Sequence, residues 1–171
     1  MTSVLKVDSI QTSAGKPILN SSGSVLQIQS AVSTAASSIT GTSYADIPGM
    51  TATITPSSTS SKILIQVSFG ALGCESVGHG CLMKLFRDST EIGQGTGGDS
   101  HNVFMNNYQG ATNIYDSVQH MFVDSPSSTS ALVYKMTWAM TGTGQTWYMN
   151  RRGIDNYARM SSTFLLTEIA G

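Results

Sequence analysis

Three histidines and two cysteines are the side chains of this sequence best suited to chemistry. His79 sits within Gly78-His79-Gly80, His101 follows Gly97-Gly98-Asp99-Ser100, and His120 lies in an alternating stretch. Asp99 and His101 stand two apart, so on an extended chain they project to the same side, as an acid–base pair or half a metal site would. No third ligand stands at a spacing that closes such a site, and the pair reads as a polar loop. Cys74 and Cys81 flank a turn and would face each other across a hairpin. Two cysteines build neither a disulfide framework nor a four-ligand zinc site. In a reducing cytoplasm they are expected as free thiols.

Catalytic patterns are no better specified. Ser, His and Asp are plentiful, but no Gly-x-Ser-x-Gly elbow occurs. Asp88, Glu91, Asp99 and Asp116 are the carboxylates that sugar cleavage would need in a pair, and nothing in their spacing selects two of them. The stretch Gly93-Gln94-Gly95-Thr96-Gly97-Gly98 is glycine-rich, yet it opens no helix and carries no lysine to hold a phosphate. The expectation is a protein that is not an enzyme and holds neither cofactor nor metal.

Aromatic residues say more. Tyr134, Trp138, Trp147 and Tyr148 crowd into a predicted late hairpin, and Tyr108 and Tyr115 flank a loop containing Gly110. Aromatics on strands belong in a core or a subunit interface. Exposed beside Asn and Gln they would instead stack on sugars, so Asp99, His101, Tyr108 and Tyr115 are the candidate receptor-contact residues. The nine methionines fit a packed interface as adaptable filler.

The elements that must position these residues are strands. From residue 25 the hydrophobic period is two, with no capped amphipathic helix. In 62–71, Ile63, Ile65, Val67 and Phe69 share one face while Leu64, Gln66 and Ser68 take the other. Further strands are predicted over 25–30, 50–55, 82–87, 102–108, 114–123, 132–141, 145–150 and 162–169. Asp88-Ser89-Thr90 reads as a hairpin turn, and Thr141-Gly142-Thr143-Gly144 as the join of the late hairpin. Both faces of 118–123 are mixed, so that strand is expected to be covered on two sides. Eight or nine short strands predict an antiparallel β-sandwich, jelly-roll-like, over residues 25–171. Pro-Ser-Ser-Thr-Ser occurs at 56–60 and again at 126–130, and reads as two similar crossing loops rather than a duplication.

Residues 1–24 differ. Val4, Leu5, Val7, Ile10, Ile18 and Leu19 form two short apolar pieces that cannot bury themselves alone, and they read either as an N-terminal attachment arm seated on another surface or as an ordinary edge strand of the same domain. The start lacks a basic run followed by a long apolar one, so no secretory signal is expected. No apolar stretch approaches a membrane span. Across 171 residues only 11% are charged, against roughly 25% in an ordinary soluble domain. A net charge of −1 removes the electrostatic case for a nucleic-acid partner; Arg151-Arg152 is the only adjacent basic pair and makes no patch.

The opening 5–18 (Leu5-Lys6-Val7-Asp8-Ser9-Ile10 onward), the segment 50–64, the segment 84–93, Asp124-Ser125-Pro126 and the ending Leu166-Thr167-Glu168-Ile169 resemble fibre-like structural proteins of tailed bacteriophages, marine ones especially. The matches run in order over most of the chain; 70–80 and 94–113 lie outside them. The resemblance implies a virion component: a short fibre or a decoration subunit of capsid or tail, usually a homotrimer. Its N-terminal arm would dock on capsid or tail proteins, and a β-rich knob would stand at the virion surface after assembly in the host cytoplasm. The alternative is a knob that binds a host surface glycan through the loops 94–100 and 108–115. Neither reading involves membrane insertion.

Overall fold

A computed structural model describes residues 22–98, 101–111 and 114–171. The regular elements among them are all strands: β1 (Val25–Ser33), β2 (Ser37–Ile39), β3 (Ala45–Ile54), β4 (Lys62–Cys74), β5 (His79–Arg87), β6 (Thr90–Ile92), β7 (Met105–Gln109), β8 (Asp116–Asp124), β9 (Leu132–Met140), β10 (Trp147–Met149) and β11 (Ser162–Ile169). Alternation decides their faces. On β4, Ile63, Ile65, Val67 and Phe69 are all within 1% of full burial, while Leu64, Gln66 and Ser68 are half-buried.

The strands form two antiparallel sheets. Sheet I has the order β1-β11-β4-β10-β2, with β8 also on β4. Because β11 and β8 both pair with residues 63–68 of β4, they flank it on opposite sides. β1 pairs with β11 and β2 with β10, so β1 and β2 run along one edge and β10 and β11 share the next position. Sheet II has the order β3-β9-β5-β6, with β7 also on β5. β6 meets Leu85–Arg87 and β7 meets His79–Met83, so together they make the outer edge. The two inner faces meet in one core that includes Trp138, Trp147, Tyr134, Phe69 and Phe164. A β-sandwich follows directly from these alternating faces.

Both Pro-Ser-Ser-Thr-Ser loops cross between the sheets at one end. The first runs from β3 in sheet II to β4 in sheet I, and the second from β8 in sheet I to β9 in sheet II. Since β3 pairs with β9 and β4 with β8, the loops bridge the same two ladders in opposite directions. The two loops make equivalent crossings with different backbones: Ser127 takes a φ of 51°, whereas the first loop turns through the Ser61 N–H bond to the Ser58 carbonyl.

Several expectations are corrected. β9 and β10 lie in different sheets, so 132–150 is a crossing rather than a hairpin. β4 and β5 likewise belong to opposite sheets, and the turn carrying Cys74 and Cys81 joins them across the sandwich. Both thiols are free and buried, and burial pushes both above their ordinary value. Trp138, Trp147 and Tyr134 are therefore inter-sheet core, not a hairpin cluster. The described residues do not cover β8 on two sides: Met121 is 62% and Val123 50% exposed. β7 starts only at Met105, so His101 lies in a loop and not on a strand beside Asp99, which falls outside the described residues. β3 begins at Ala45, ahead of Pro48-Gly49. Its register shifts between Asp46 and Thr51, where Pro48 has no N–H to give and Gly49 takes a φ of 76°.

Candidate functional site

The sandwich has two chemically different ends, separated by the 13 residues of β4, about 40 Å at the usual rise. The chain enters at the first end. The N–H of Gly23 donates to the carbonyl of Ala170, and the N–H of Ala170 donates to the carbonyl of Ser24. Residues 22–24, assigned by sequence to the arm, thus pair with the C-terminal strand. Val4, Leu5, Val7, Ile10, Ile18 and Leu19 lie outside the described residues.

A buried carboxylate organises this end. Glu168 on β11 is fully buried. It accepts from Gln27 Nε2 at 2.6 Å, from the Ser57 N–H and Oγ at 2.7 Å each, and from Ser61 Oγ at 2.7 Å. Burial alone would raise its pKa, but the donors from Gln27, Ser61 and Ser57 outweigh it and hold the carboxyl down at about 2. Gln27 Nε2 also donates to the carbonyl of Thr55 at 2.7 Å, so strand β1, strand β11 and the first crossing loop are tied at one point. Beside it, Asp124 at the end of β8 accepts a two-pronged contact from Arg87 Nη1 at 2.9 and 2.8 Å and a hydrogen bond from the Tyr134 hydroxyl at 2.7 Å. Those bonds cross from sheet I to sheet II. Both clusters are fully satisfied internally, and their chemistry is structural.

The opposite end carries the turns 75–78 and 141–146, the described residues 110–111 and 114–115, and the excursion 150–161 between β10 and β11. Close backbone approaches seat that excursion on sheet I. A Cβ on Gly70 would lie 2.2 Å from the Ser161 carbonyl oxygen, and one on Gly73 would lie 2.7 Å from the Gly153 nitrogen. Asn150, at a φ of 64°, closes the base. It donates to the carbonyls of Ser33 at 2.8 Å and Ala35 at 2.9 Å and accepts from Ser162 Oγ at 2.6 Å.

Tyrosines and arginines stand on this base. The Arg151 guanidinium carbon lies 3.9 Å from the centre of the Tyr148 ring, and that of Arg152 lies 4.9 Å from the Tyr157 ring. Asp155 Oδ1 accepts from Arg152 Nε at 2.9 Å and from the Tyr157 N–H at 2.9 Å, which fixes the pair. The Tyr148 hydroxyl donates to Glu75 Oε1 at 2.7 Å, and this bond, with help from Thr146, holds the Glu75 carboxyl below its usual range. Tyr157 is 81% exposed and Tyr108 61%. Flat π-faces fixed by guanidinium and carboxylate groups can stack on a sugar ring and hydrogen-bond its hydroxyls.

Of the sequence-predicted contact residues, Tyr108 and Tyr115 reach this end. Tyr108 pairs with Gly80 at the top of sheet II, and Tyr115, half-buried, precedes β8 within electrostatic reach of Arg152. His101 does not join them: it is exposed on the loop between β6 and β7 at the side of sheet II. His120 packs edge-on against Phe104 at 4.6 Å between ring centres. Of the carboxylates considered for sugar cleavage, Asp99 lies outside the described residues and the other three are dispersed. Asp88 accepts from the Val133 N–H at the entry end, Glu91 pairs with Lys84, and Asp116 opens β8 at the far end. Among the described residues, no three of His, Cys, Asp and Glu are grouped to hold a metal ion. No helix among them is long and apolar enough to cross a membrane.

Sequence reading passed over Tyr157, Arg151, Arg152 and Asp155. The Arg151-Arg152 pair was the available signal, and it was discounted because two cations make no basic patch. Its partners are rings, which only the fold brings near. No protein-family model matches the chain, and no curated protein matches it.

Proposed function

We propose that this chain is a structural subunit of a tailed-phage virion, a short fibre or a capsid or tail decoration protein that acts as a homotrimer and is anchored by its first residues. The resemblance of the segments 5–18, 50–64 and 84–93 to fibre-like virion proteins motivates the reading. The observation that carries it is the polarity of the sandwich. The described chain leads into the sandwich at one end, where Gly23 pairs with Ala170, while the exposed tyrosines stand at the other, about 40 Å away. An anchored knob requires that separation.

A jelly roll is the finer fold assignment. The pairs β1·β11, β3·β9, β4·β8 and β5·β6/β7 nest one inside the next, as they would in one long hairpin rolled into a sandwich. Removing residues 1–21 is the test of anchoring. The truncated protein is expected to keep its β-sheet circular dichroism and to vanish from assembled particles. Normal occupancy in virions would defeat the anchor.

The second reading, a host-glycan-binding knob, is favoured by the Tyr148–Arg151 and Tyr157–Arg152 stacks. Tyr157→Ala and Tyr108→Ala should weaken host-cell adsorption at least tenfold if the far end meets sugar. Unchanged adsorption in both variants leaves the structural role alone.

A further inference from the structure

Sheet I shows an outer face that the described residues leave largely bare, although Thr167 within it is buried between its neighbours. Cross-strand register sets out its rows: Ile28, Thr167, Leu64 and Val123; then Ser30, Leu165, Gln66 and Met121; then Val32, Thr163, Ser68 and Gln119. No charged side chain occurs in the three rows, and Lys62 stands only at the rim nearest the entry end. Ile28 is 57%, Val32 60% and Met121 62% exposed, and a shallow groove of about 200 Å³ runs between Gln66, Ser68, Gln119, Met121, Thr163 and Leu165. Beyond the third row the excursion 150–161 covers the same sheet.

We infer that this face, with the adjoining edge of β8 that no described strand pairs, is the surface through which copies of this chain pack against one another. The inference rests on the reading that the chain works as a homotrimer and supplies the surface that reading lacks. Charge argues for a second copy as the occupant. A neutral face of Ile, Val, Leu, Met, Ser, Thr and Gln meets another copy without repulsion and presents nothing to steer a charged partner. The β8 sequence, Asp-Ser-Val-Gln-His-Met-Phe-Val-Asp, has no lysine, arginine or proline to guard its edge against pairing. Four ladder positions by about seven residues span roughly 20 by 20 Å, on the order of 400 Å², and the β8 edge adds about 300 Å², so a copy that uses both covers on the order of 700 Å² over its two contacts. A closed ring uses both, because each subunit then offers its face to one neighbour and its edge to the other.

The test is sedimentation of the full-length purified chain beside Val32→Glu and Met121→Arg, both at exposed positions, with Thr53→Glu on sheet II as control. Wild type and control should sediment at three times the chain mass. Each face variant should associate at least tenfold more weakly with unchanged circular dichroism. Hydrogen exchange on the unaltered protein is a second measure that needs no variant. Amides of β8 should be protected at high concentration and exchange faster on dilution. An oligomeric wild type whose face variants stay oligomeric, with β8 exchange independent of concentration, overturns the surface and leaves the trimer reading standing. A wild type that is monomeric throughout overturns both. A monomer whose face exchanges faster only after residues 1–21 are deleted assigns the face to the chain's own leading segment and also overturns the proposal.

Discussion

On sheet II, Lys135 reaches Asp46 at 2.8 Å, Lys84 reaches Glu91 at 2.8 Å, and the Lys84 ammonium lies 4.6 Å from the centre of the Tyr44 ring. On sheet I, the three rows from Ile28 to Gln119 hold no charge. Both faces stand on the same core, with the same alternation and the same antiparallel ladders, so neither propensity nor burial separates them. What separates them is the medium each is built to meet. Interspersed charges keep an open strand face in water. A face without them gains by being covered. In a chain with only 11% charged residues, the uneven spending of those few is itself informative.

The comparison holds only if the two faces belong to one cooperative unit, and the largest predicted effect checks that. Phe164→Ala, at a fully buried position between the sheets, should cost about 3–5 kcal/mol in chemical denaturation and loosen both faces in one transition. Separate transitions for the two sheets would break the comparison at its root.

Next is the clamp that joins β1, β11 and the first crossing loop. Glu168→Gln should cost about 3 kcal/mol at neutral pH, since the carboxyl falls from an ordinary 4.5 to about 2 on folding. The sign follows from that depression: the contribution is complete above about pH 4.5 and is lost as pH falls toward 2. Wild type should therefore lose stability across that window, and the glutamine variant should show a flatter profile in thermal melts. Equal acid profiles would mean that Glu168 carries no such load.

A smaller effect on stability, but the sharpest on the comparison, comes from giving sheet I the chemistry of sheet II. Gln66 and Met121 are directly opposed across β4 and β8. Gln66→Lys with Met121→Glu would set an ion pair there. The double variant should keep its stability within about 1 kcal/mol and sediment as a monomer. Retained assembly would show that neutrality of the face is incidental. The smallest effect belongs to sheet II: Lys135→Ala, which breaks a mostly exposed pair with Asp46, should change stability by less than about 1 kcal/mol and leave assembly untouched.

Much of the fold is legible before any coordinates. Ile63, Ile65, Val67 and Phe69 on one side of β4 announce a half-buried strand, and the predicted strand 162–169 is the observed one. Asp88-Ser89-Thr90 is a hairpin turn as read, with Asp88 at a φ of 53°. What misled was adjacency. Short turns after β4 and β9 read as hairpins, yet both carry the chain across the core, because a turn's composition fixes its bend and not the sheet it leads to. The mixed faces of β8 predict cover on both sides, and the described residues leave Met121 and Val123 on the outer face exposed. Of the candidate site, the sequence singles out Tyr108 and Tyr115 by their own chemistry, and the fold puts both at the end away from the chain's entry. It does not single out Tyr157 and the two arginines, since stacking is a relation between residues and shows in no single one.

The sequence by itself determined that this protein is made of alternating strands, that charge is scarce, and that 56–60 and 126–130 are loops between strands. Those properties are local, fixed by side-chain period, composition and turn chemistry within a few residues. Only the tertiary structure decided which strands share a sheet, that the tyrosines gather at the end away from the chain's entry, and that the neutral rows of β1, β11, β4 and β8 line up on one open face. Register between distant strands places those residues side by side, and register arises from packing the whole chain around one core.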